Sequence, residues 1–447
     1  MTSTGSAENR RRELEHGSWT AVPLRAVTRG PGHHFFGYYD KTCWDGSGRY
    51  LLCLETDFVD RPPGPADEAT VGIVDLQDGD RWRPLARTRA WNWQQGAMLH
   101  WLPVPHAGGA AARRAAGRKD GADTPLVVHN QRLDPGEVAQ RPSPLGWEDD
   151  DPGRARFVAV VRDAASGEVV RSLPRPIYAL SHDGAQAVTL NFSRLQHQRP
   201  GYGYAGPPDP WLDDPEPAAD GITWMDTASG AHRLVISVAQ IAGLNRDERF
   251  GGKVHRFNHL QFSPDDGRFV FLHRWQEYFG APRFHRMLTA RPDGGEIALV
   301  ATHGSVSHFD WQDEHHLLAW AFNRETGERY LTFRDRVADE VAVLGEGVLT
   351  EDGHCSFSPD GAWLLTDTYP RAEPYRTLIL YHLASGTRVD VGRFYSPPEI
   401  TGEIRCDLHP RWSRDGRQVC FDSAHAGERQ VYLADVAGVL DSLPAGR

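Results

Sequence analysis

One short phrase recurs along this 447-residue chain and limits what it can fold into. An aromatic or apolar residue is followed by a polar turn, usually Ser-x-Asp-Gly or a variant, and then by an apolar strand. Clear copies begin at Trp44, Leu180, Phe262, Phe357 and Trp412, and degenerate copies lie at Trp101 and Trp311. Turn residues at a fixed offset before a Val/Leu/Phe-rich run are typical of β-hairpins. The sequence therefore predicts an all-β fold built from seven copies of one hairpin-containing unit.

A second phrase follows most copies: an apolar strand, Asp, and a Gly-containing turn, as at 71–80 and 222–235. The combined unit recurs at intervals of roughly 50–80 residues, which is typical of propeller blades that carry insertions. We predict a seven-bladed β-propeller of four-stranded blades. Two unrelated β-sandwiches are the alternative, but they do not explain one phrase that recurs in register.

The predicted domain organisation is a disordered segment over 1–18 and a single propeller domain over 19–447. Ring closure is expected from 19–28, which would add a strand beside 431–436. Three insertions interrupt the blades: the stretches 106–124 and 142–154 are predicted to be mobile loops, and 201–220 is rich in Pro, Gly, Asp and Tyr. Long loops on a rigid scaffold are where ligand contacts concentrate.

Composition excludes several classes of protein. The net charge of −11, without a Lys/Arg-rich run, argues against binding to nucleic acid. No stretch reaches about 18 consecutive apolar residues, so no membrane span is predicted. The N-terminus lacks the apolar core of a secretory signal, which favours the cytoplasm unless a signal has been removed. Five scattered cysteines do not make a disulfide scaffold. The motifs G-x-S-x-G, G-x-x-x-x-G-K and H-E-x-x-H are missing.

Four consecutive units carry a histidine three residues before the repeat aromatic. These are His259, His308, His354 and His409. Equivalent positions on the inner strands of adjacent blades point toward one axis, so the imidazoles are expected to converge. Several imidazoles around one point suit a divalent ion such as Zn or Mn. Cys406 and Asp407 are alternative ligands, and a metal-free channel lined by histidines is the other interpretation.

A second group of candidate residues lies in the first half of the chain. It consists of His100, His129, Tyr178 and Arg194, with Tyr202, Tyr204 and His255 as predicted substrate contacts. An Arg can clamp a carboxylate, while Tyr and His exchange protons. Taken singly, Tyr178 also fits a core tyrosine and Arg194 a surface ion pair. Their position on neighbouring blades favours a catalytic interpretation.

The motifs at 32–52, 91–102, 174–184, 258–275, 353–361 and 407–416 resemble those of propeller polysaccharide lyases. The closer similarity is to ulvan lyases of polysaccharide lyase families 24 and 25, and the more distant one is to oligogalacturonate lyase. The resemblance runs from about His33 to His425. It implies a seven-bladed propeller that cleaves uronic-acid glycans by β-elimination. The two families differ in their metal: the ulvan lyases hold a structural Zn, and oligogalacturonate lyase holds a catalytic Mn. The resemblance therefore implies a bound divalent ion.

Carried over residue by residue, the resemblance assigns proton handling to Tyr178 and to either His100 or His129. Arg194 would neutralise the uronate carboxylate, and some of the four inner-strand histidines would hold the metal, with Zn as first choice and Mn as the alternative. The missing signal favours a uronic-acid oligosaccharide over secreted degradation of ulvan. A non-catalytic platform that binds glycan or protein is the alternative function. A glycoside hydrolase needs two carboxylates flanking one bond, and the predicted inner strands show no such pair.

Overall fold

A computed structural model describes residues 11–103, 125–138, 154–246 and 248–443. Its strands form seven antiparallel sheets arranged as the blades of a ring, which confirms the predicted all-β, seven-bladed propeller. Six blades have four strands, and the sixth blade is extended to six strands by the N-terminal segment. The predicted loop 106–124 and, apart from Arg154, the predicted loop 142–154 lie outside the described residues.

The N-terminal segment supplies β1 (Arg12–Glu13), β2 (Trp19–Thr20) and β3 (Leu24–Ala26). Blade 1 contains β4 (His33–Phe35), β5 (Tyr50–Thr56), β6 (Ala69–Asp75) and β7 (Arg81–Thr88). Blade 2 contains β8 (His100–Leu102), β9 (Leu126–Leu133), β10 (Arg156–Asp163) and β11 (Val169–Leu173). Blade 3 contains β12 (Ala179–Leu180), β13 (Gln186–Thr189), β14 (Gly221–Asp226) and β15 (His232–Ser237).

Blade 4 contains β16 (Val254–Phe262), β17 (Phe269–Gln276), β18 (Phe284–Ala290) and β19 (Ala298–Gly304). Blade 5 contains β20 (Val306–Trp311), β21 (His316–Asn323), β22 (Gly327–Arg334) and β23 (Val341–Val343). Blade 6 contains β24 (Ser356–Phe357), β25 (Trp363–Asp367), β26 (Tyr375–His382) and β27 (Thr387–Tyr395). Blade 7 contains β28 (Arg411–Trp412), β29 (Gln418–Ser423) and β30 (Gln430–Asp435), completed by β3.

Within the ranges that the structure describes, four short α-helices lie between strands or after the last one: α1 (Pro135–Val138), α2 (Phe192–Gln198), α3 (Val238–Gly243) and α4 (Ala437–Ser442). Single 3-10 turns occupy Glu15–Gly17, Glu248–Phe250 and Gly402–Ile404. Among the helices of the described ranges, none is both long enough and apolar enough to cross a membrane.

The ring closes between the two ends of the chain. Strand β3 pairs with β30, with Leu24 opposite Ala434 and Ala26 opposite Tyr432, which confirms the predicted closure by 19–28. Strand β2 pairs instead with β27 of blade 6, where Trp19 lies opposite Arg393. The N-terminal segment therefore contributes strands to two neighbouring blades.

The repeated Ser-x-Asp-Gly phrase forms one hydrogen-bonded turn between the first and second strands of a blade. In blade 4, the Ser263 hydroxyl donates to Asp265 Oδ1 at 2.6 Å and accepts from the Arg268 amide at 3.0 Å. The same pair of bonds is made by Ser181, Ser358 and Ser413. A serine hydroxyl that both donates and accepts holds the turn in one geometry, which explains why the phrase recurs.

The repeat aromatics also fasten adjacent blades to one another. The indole Nε1 of Trp101 donates to the Cys43 carbonyl of blade 1 at 2.8 Å. Trp311 and Trp412 donate in the same way to the carbonyl that precedes the repeat aromatic of the previous blade, each at 3.3 Å. These bonds satisfy buried polar groups at the blade interfaces and keep the inner strands in register around the channel.

Candidate active site

Bulges in the inner strands direct the histidines toward the channel. His259 and His409 have φ values of 53° and 42°, and Met98, at the same register position of blade 2, has 50°. The pairing of β16 with β17 shifts register between Asn258 and Gln261. A left-handed φ is costly for residues with a side chain and is often retained at functional sites. At His259, this bulge is the local reason that the imidazole turns out of the blade.

Three of the four predicted histidines form one cluster. The ring centroids of His308 and His354 lie 4.2 Å apart, and those of His354 and His409 lie 4.3 Å apart. The Nδ1 atom of His308 is 2.9 Å from Asp352 Oδ1, and that of His354 is 2.9 Å from Asp367 Oδ1. A carboxylate at Nδ1 orients the ring and leaves Nε2 for a metal, as in many metal sites.

The Asp407 carboxylate completes this cluster. One possible ligand atom from each of His354, Asp407 and His409 lies within 4.8 Å of the others. Neither ring nitrogen of His409 has a hydrogen-bond partner among the described residues. Burial alone would raise the pKa of Asp407, but Arg405 and Arg376 hold it well below its usual value. Because burial also lowers the pKa of His354 and His409, the cluster offers neutral imidazoles and one anion, a donor set that fits a divalent ion.

A tyrosine hydroxyl marks the point where two of the imidazoles meet. Tyr369 Oη lies 3.3 Å from Nε2 of His308 and 3.2 Å from Nε2 of His354. Both Nε2 atoms are thus directed at one position. Burial raises the pKa of Tyr369 well above its ordinary value, so its phenol stays protonated at neutral pH.

The fourth histidine, His259, contacts this cluster through the ring of Tyr38. Tyr38 stacks on His259, with centroids 5.0 Å apart, and meets His409 edge-on at the same distance. The Nδ1 atom of His259 lies 3.3 Å from the Tyr178 hydroxyl and 3.4 Å from Gln95 Nε2. The structure therefore brings His308, His354 and His409 together and gives His259 different neighbours.

Tyr202 stands in the same channel between arginines. Its hydroxyl accepts a hydrogen bond from Arg405 Nη2 at 2.8 Å, and the guanidinium carbon of Arg199 lies 4.9 Å from its ring centre. Tyr202 also meets His259 edge-on, with ring centroids 5.7 Å apart. Burial raises the pKa of Tyr202, but Arg405 and Arg199 outweigh it, and the pKa lies below its ordinary value. Neighbouring cations make this tyrosine easier to deprotonate, and its phenolate form is the one that can accept a proton.

Of the predicted catalytic group, Tyr178 lies next to His259, and His100 lies next to Tyr178. The buried Tyr178 hydroxyl accepts from Gln95 Nε2 at 2.8 Å and from the His259 amide at 3.0 Å. Burial raises the pKa of Tyr178 well above its usual value, so this phenol fixes the position of His259. His100 is hydrogen-bonded to the Tyr178 backbone, and burial, with Lys41 adding to it, lowers its pKa to about 3.

The other two residues of that group are placed away from the channel. All five N–H groups of Arg194 are used: its Nε donates to the His255 carbonyl, and its Nη atoms bind Asp209 and three carbonyls of 211–215. Arg194 therefore anchors the 201–220 loop, and no donor is left for a substrate carboxylate. His129 lies on the second strand of blade 2, where Arg162 Nε donates to its Nε2 at 3.0 Å.

Two of the three predicted substrate contacts lie in the protein interior. The Tyr204 ring stacks on Phe192 with centroids 4.3 Å apart, and its hydroxyl accepts from Asn130. His255 is fully buried with its Nδ1 2.8 Å from His273 Nε2. Of the three, only Tyr202 reaches the channel.

Several channel residues were not predicted from the sequence. These are Tyr38, Tyr369, Asp352, Asp367 and Arg405. Some signals were available, since Asp352 and Arg405 each lie two residues before a predicted metal-binding residue. Tyr38 belongs to the stretch GHHFFGYYDK, which precedes the first repeat aromatic in the position of an inner strand.

Buried histidines predict a loss of stability in mild acid. Burial lowers the pKa of His100 to about 3 and of His255 to about 4, against about 6.5 in an unfolded chain. Below that value the unfolded state binds more protons, so the free energy of unfolding falls with pH. We expect a fall of about 1.4 kcal/mol per pH unit for each such histidine between pH ~6.5 and ~4. Urea unfolding across this range measures it, and unchanged stability in acid would contradict it.

Comparison with known proteins shows what the fold is similar to. No protein-family model matches the chain, and neither does any curated protein. An oligogalacturonate lyase from Vibrio parahaemolyticus is 13% identical with a TM-score of 0.57, over 96% of both chains. An oligogalacturonate lyase in complex with manganese is 16% identical with a TM-score of 0.57, over 95% of both chains. A puromycin-hydrolyzing peptidase of Mycobacterium tuberculosis matches at a TM-score of 0.48 and 14% identity, over 95% of this chain and 54% of that one. At these identities the two lyases share the propeller fold with this chain.

Proposed function

We propose that this protein is a metal-dependent lyase that cleaves uronic-acid oligosaccharides by β-elimination. The observation that carries the proposal is the convergence of His354, Asp407 and His409. His308 packs against His354, and the pair formed by Tyr202 and Arg405 lies directly beside Asp407. One centre supplies ligands for a divalent ion, and the other supplies a proton acceptor among cations. Uronate elimination needs both, because a carboxylate must be neutralised while the adjacent carbon loses a proton.

The chemistry places specific demands on the site. A base removes the C5 proton, the electron pair forms the C4=C5 double bond, the C4–O4 bond breaks, and the departing oxygen takes a proton. Negative charge grows on the carboxylate in the transition state, so groups that neutralise it accelerate the reaction. A divalent ion held by the histidines and Asp407 would supply Lewis-acid stabilisation of that carboxylate.

The residues of the chain divide these tasks. Tyr202 accepts the C5 proton, with Arg405 and Arg199 stabilising the phenolate by their positive charge. Tyr38 and Tyr369 have pKa values raised by burial and are the protonated phenols available to the leaving oxygen. Tyr178 is a positioning residue that holds His259. Because every N–H group of Arg194 is already bonded, we assign the neutralisation of the uronate carboxylate to the channel arginines, Arg405 and Arg199, in its place.

The choice of substrate and metal rests on two kinds of similarity. The lyases with the same fold act on oligogalacturonate, and one is described in complex with manganese, which supports a uronate oligosaccharide and Mn. The sequence motifs resemble those of ulvan lyases, which supports Zn and an ulvan-derived sugar. A set of nitrogen ligands with one carboxylate suits either ion. Both substrates belong in the test.

The experiment is incubation with oligogalacturonate, oligoglucuronate and ulvan oligosaccharides, each with Mn or Zn supplied. The C4=C5 double bond absorbs in the ultraviolet, so elimination appears as rising absorbance. We expect a rise with at least one uronate and none with a neutral oligosaccharide. If a uronate binds but absorbance stays flat with either metal, the protein is a glycan-binding platform and the proposal is wrong.

A further inference from the structure

Four polar side chains share one face of blade 4, apart from the histidine cluster. Arg256 and Asn258 are two apart on β16 and therefore point to the same face. Arg274 on β17 is the Cα partner of Arg256, and His285 on β18 is the partner of Arg274. All four are therefore neighbours on this face, which we call the blade 4 polar face.

The polar atoms of this face are buried and incompletely bonded. Arg256 is 1% exposed, and its Nε and Nη1 have no hydrogen-bond partner among the described residues. The same holds for Arg274 Nε, for His285 Nε2 and for both side-chain polar atoms of Asn258. Buried donors without partners are rare because each one costs the desolvation of a polar group. So many on a single face indicate a site built for a ligand.

Cations surround the face without balancing carboxylates. Burial, with Arg283 adding to it, lowers the pKa of Arg274 to about 10. Burial, followed by Arg274, Arg283 and Arg199, lowers the pKa of Arg256 well below its ordinary value. In the described ranges, neither Arg256 nor Arg274 forms an ion pair with Asp or Glu. Elsewhere the buried Arg411 does, with Asp422 at 2.7 Å.

The blade 4 polar face adjoins the proposed catalytic site. Asn258 directly precedes His259 in the chain. Arg274 is close enough to His259 to lower the pKa of that histidine, and close enough to Tyr202 for the tyrosine to raise the pKa of Arg274. At the edge of the group, Arg283 is exposed and Arg199 is half-buried. Burial therefore decreases from Arg256 and Arg274 toward the two arginines at the edge of the group.

We propose that the blade 4 polar face is a subsite for a second anionic group of the substrate, on the sugar next to the one that is cleaved. This inference rests on the proposed function. The ligand chemistry is an oxyanion, either a carboxylate or a sulfate, because planar guanidinium groups bind such oxygens in pairs. A single uronate uses the metal centre and Tyr202, so the additional arginines select oligosaccharides with charge on two successive sugars.

The test is calorimetric binding to Arg256→Met. Arg334→Met, at a side chain that is 61% exposed, serves as the matched control. All proteins carry Tyr202→Phe, so that the sugar is not consumed. The probes are galacturonate, digalacturonate, and a disaccharide of a uronate and a sulfated sugar. We expect Arg256→Met to weaken binding of a doubly charged probe by about 10–100-fold and to change galacturonate binding by less than about threefold.

Stability without ligand provides an independent readout. Removing an unpaired buried cation relieves repulsion and desolvation, so Arg256→Met should raise Tm by ~2–5 °C. A purely structural arginine would instead lower Tm when lost.

The binding experiment also identifies the anion. Weakened binding of digalacturonate identifies a carboxylate, and weakened binding of the sulfated probe identifies a sulfate. If neither probe loses affinity, the subsite is refuted. Because binding is measured without turnover, this result is separate from the outcome of the elimination assay.

Discussion

His354→Ala is expected to remove the bound metal and to lower the elimination rate by at least ~10³-fold. His354 is central to the cluster, since its ring packs against both His308 and His409, and its candidate ligand atom lies within 4.8 Å of that of Asp407. Without the His354 imidazole, the remaining donors of His308, His409 and Asp407 no longer surround one point. Elemental analysis gives the metal content, and ultraviolet absorbance gives the rate. His316→Ala is the matched control, because His316 is a surface histidine whose side chain is 43% exposed.

Thermal unfolding of the same variant separates two roles for the ion. A catalytic ion predicts a large loss of activity with little change in Tm. A structural ion predicts a marked fall in Tm, since metal binding then contributes to folding. A His354→Ala protein that keeps one equivalent of metal and full activity would contradict the assignment of this cluster.

Tyr202→Phe is the second large effect, with turnover expected to fall by ~10²–10⁴-fold. The substitution removes one hydroxyl and keeps the ring, so packing against His259 is preserved. If Tyr202 takes the C5 proton, the loss falls on kcat while KM changes little, because the hydroxyl acts in the transition state. Steady-state kinetics with a uronate oligosaccharide measures both constants.

Tyr204→Phe is the matched control for that experiment. Tyr204 lies two residues away, but its hydroxyl contacts Asn130 in the interior. We expect a stability loss of about 1 kcal/mol and nearly unchanged kcat. If Tyr202→Phe retains the kcat of the unmodified protein, another group accepts the proton and the proposed division of tasks is wrong.

The architecture could be predicted because its determinants are local. Each Ser-x-Asp-Gly turn, such as that of Ser263, is closed by bonds spanning five residues or fewer. The number of blades follows from counting that unit. The register of the four histidines was also readable, because each lies three positions before a repeat aromatic.

The side-chain environments of the site were harder to predict because they depend on contacts between distant segments. His308 is oriented by Asp352 across 44 residues, and Tyr178 reaches His259 across 81. Tyr202 and Tyr204 lie two positions apart in one loop and were both predicted as substrate contacts, and only packing decides which of them enters the channel. His129 stands on the second strand of blade 2, whereas the histidine cluster comes from the inner ends of the blades.

The most direct test of the account is removal and return of the metal. Protein dialysed against a chelator would be mixed with the uronate oligosaccharide that serves best as substrate, and Mn or Zn would then be added in steps. We expect ultraviolet absorbance to stay flat in the chelated protein and to rise with metal until one equivalent is bound. The His354→Ala variant should not respond to added metal. Full elimination by chelated protein, or restoration of activity in His354→Ala, would contradict a catalytic metal centre formed by His308, His354, His409 and Asp407.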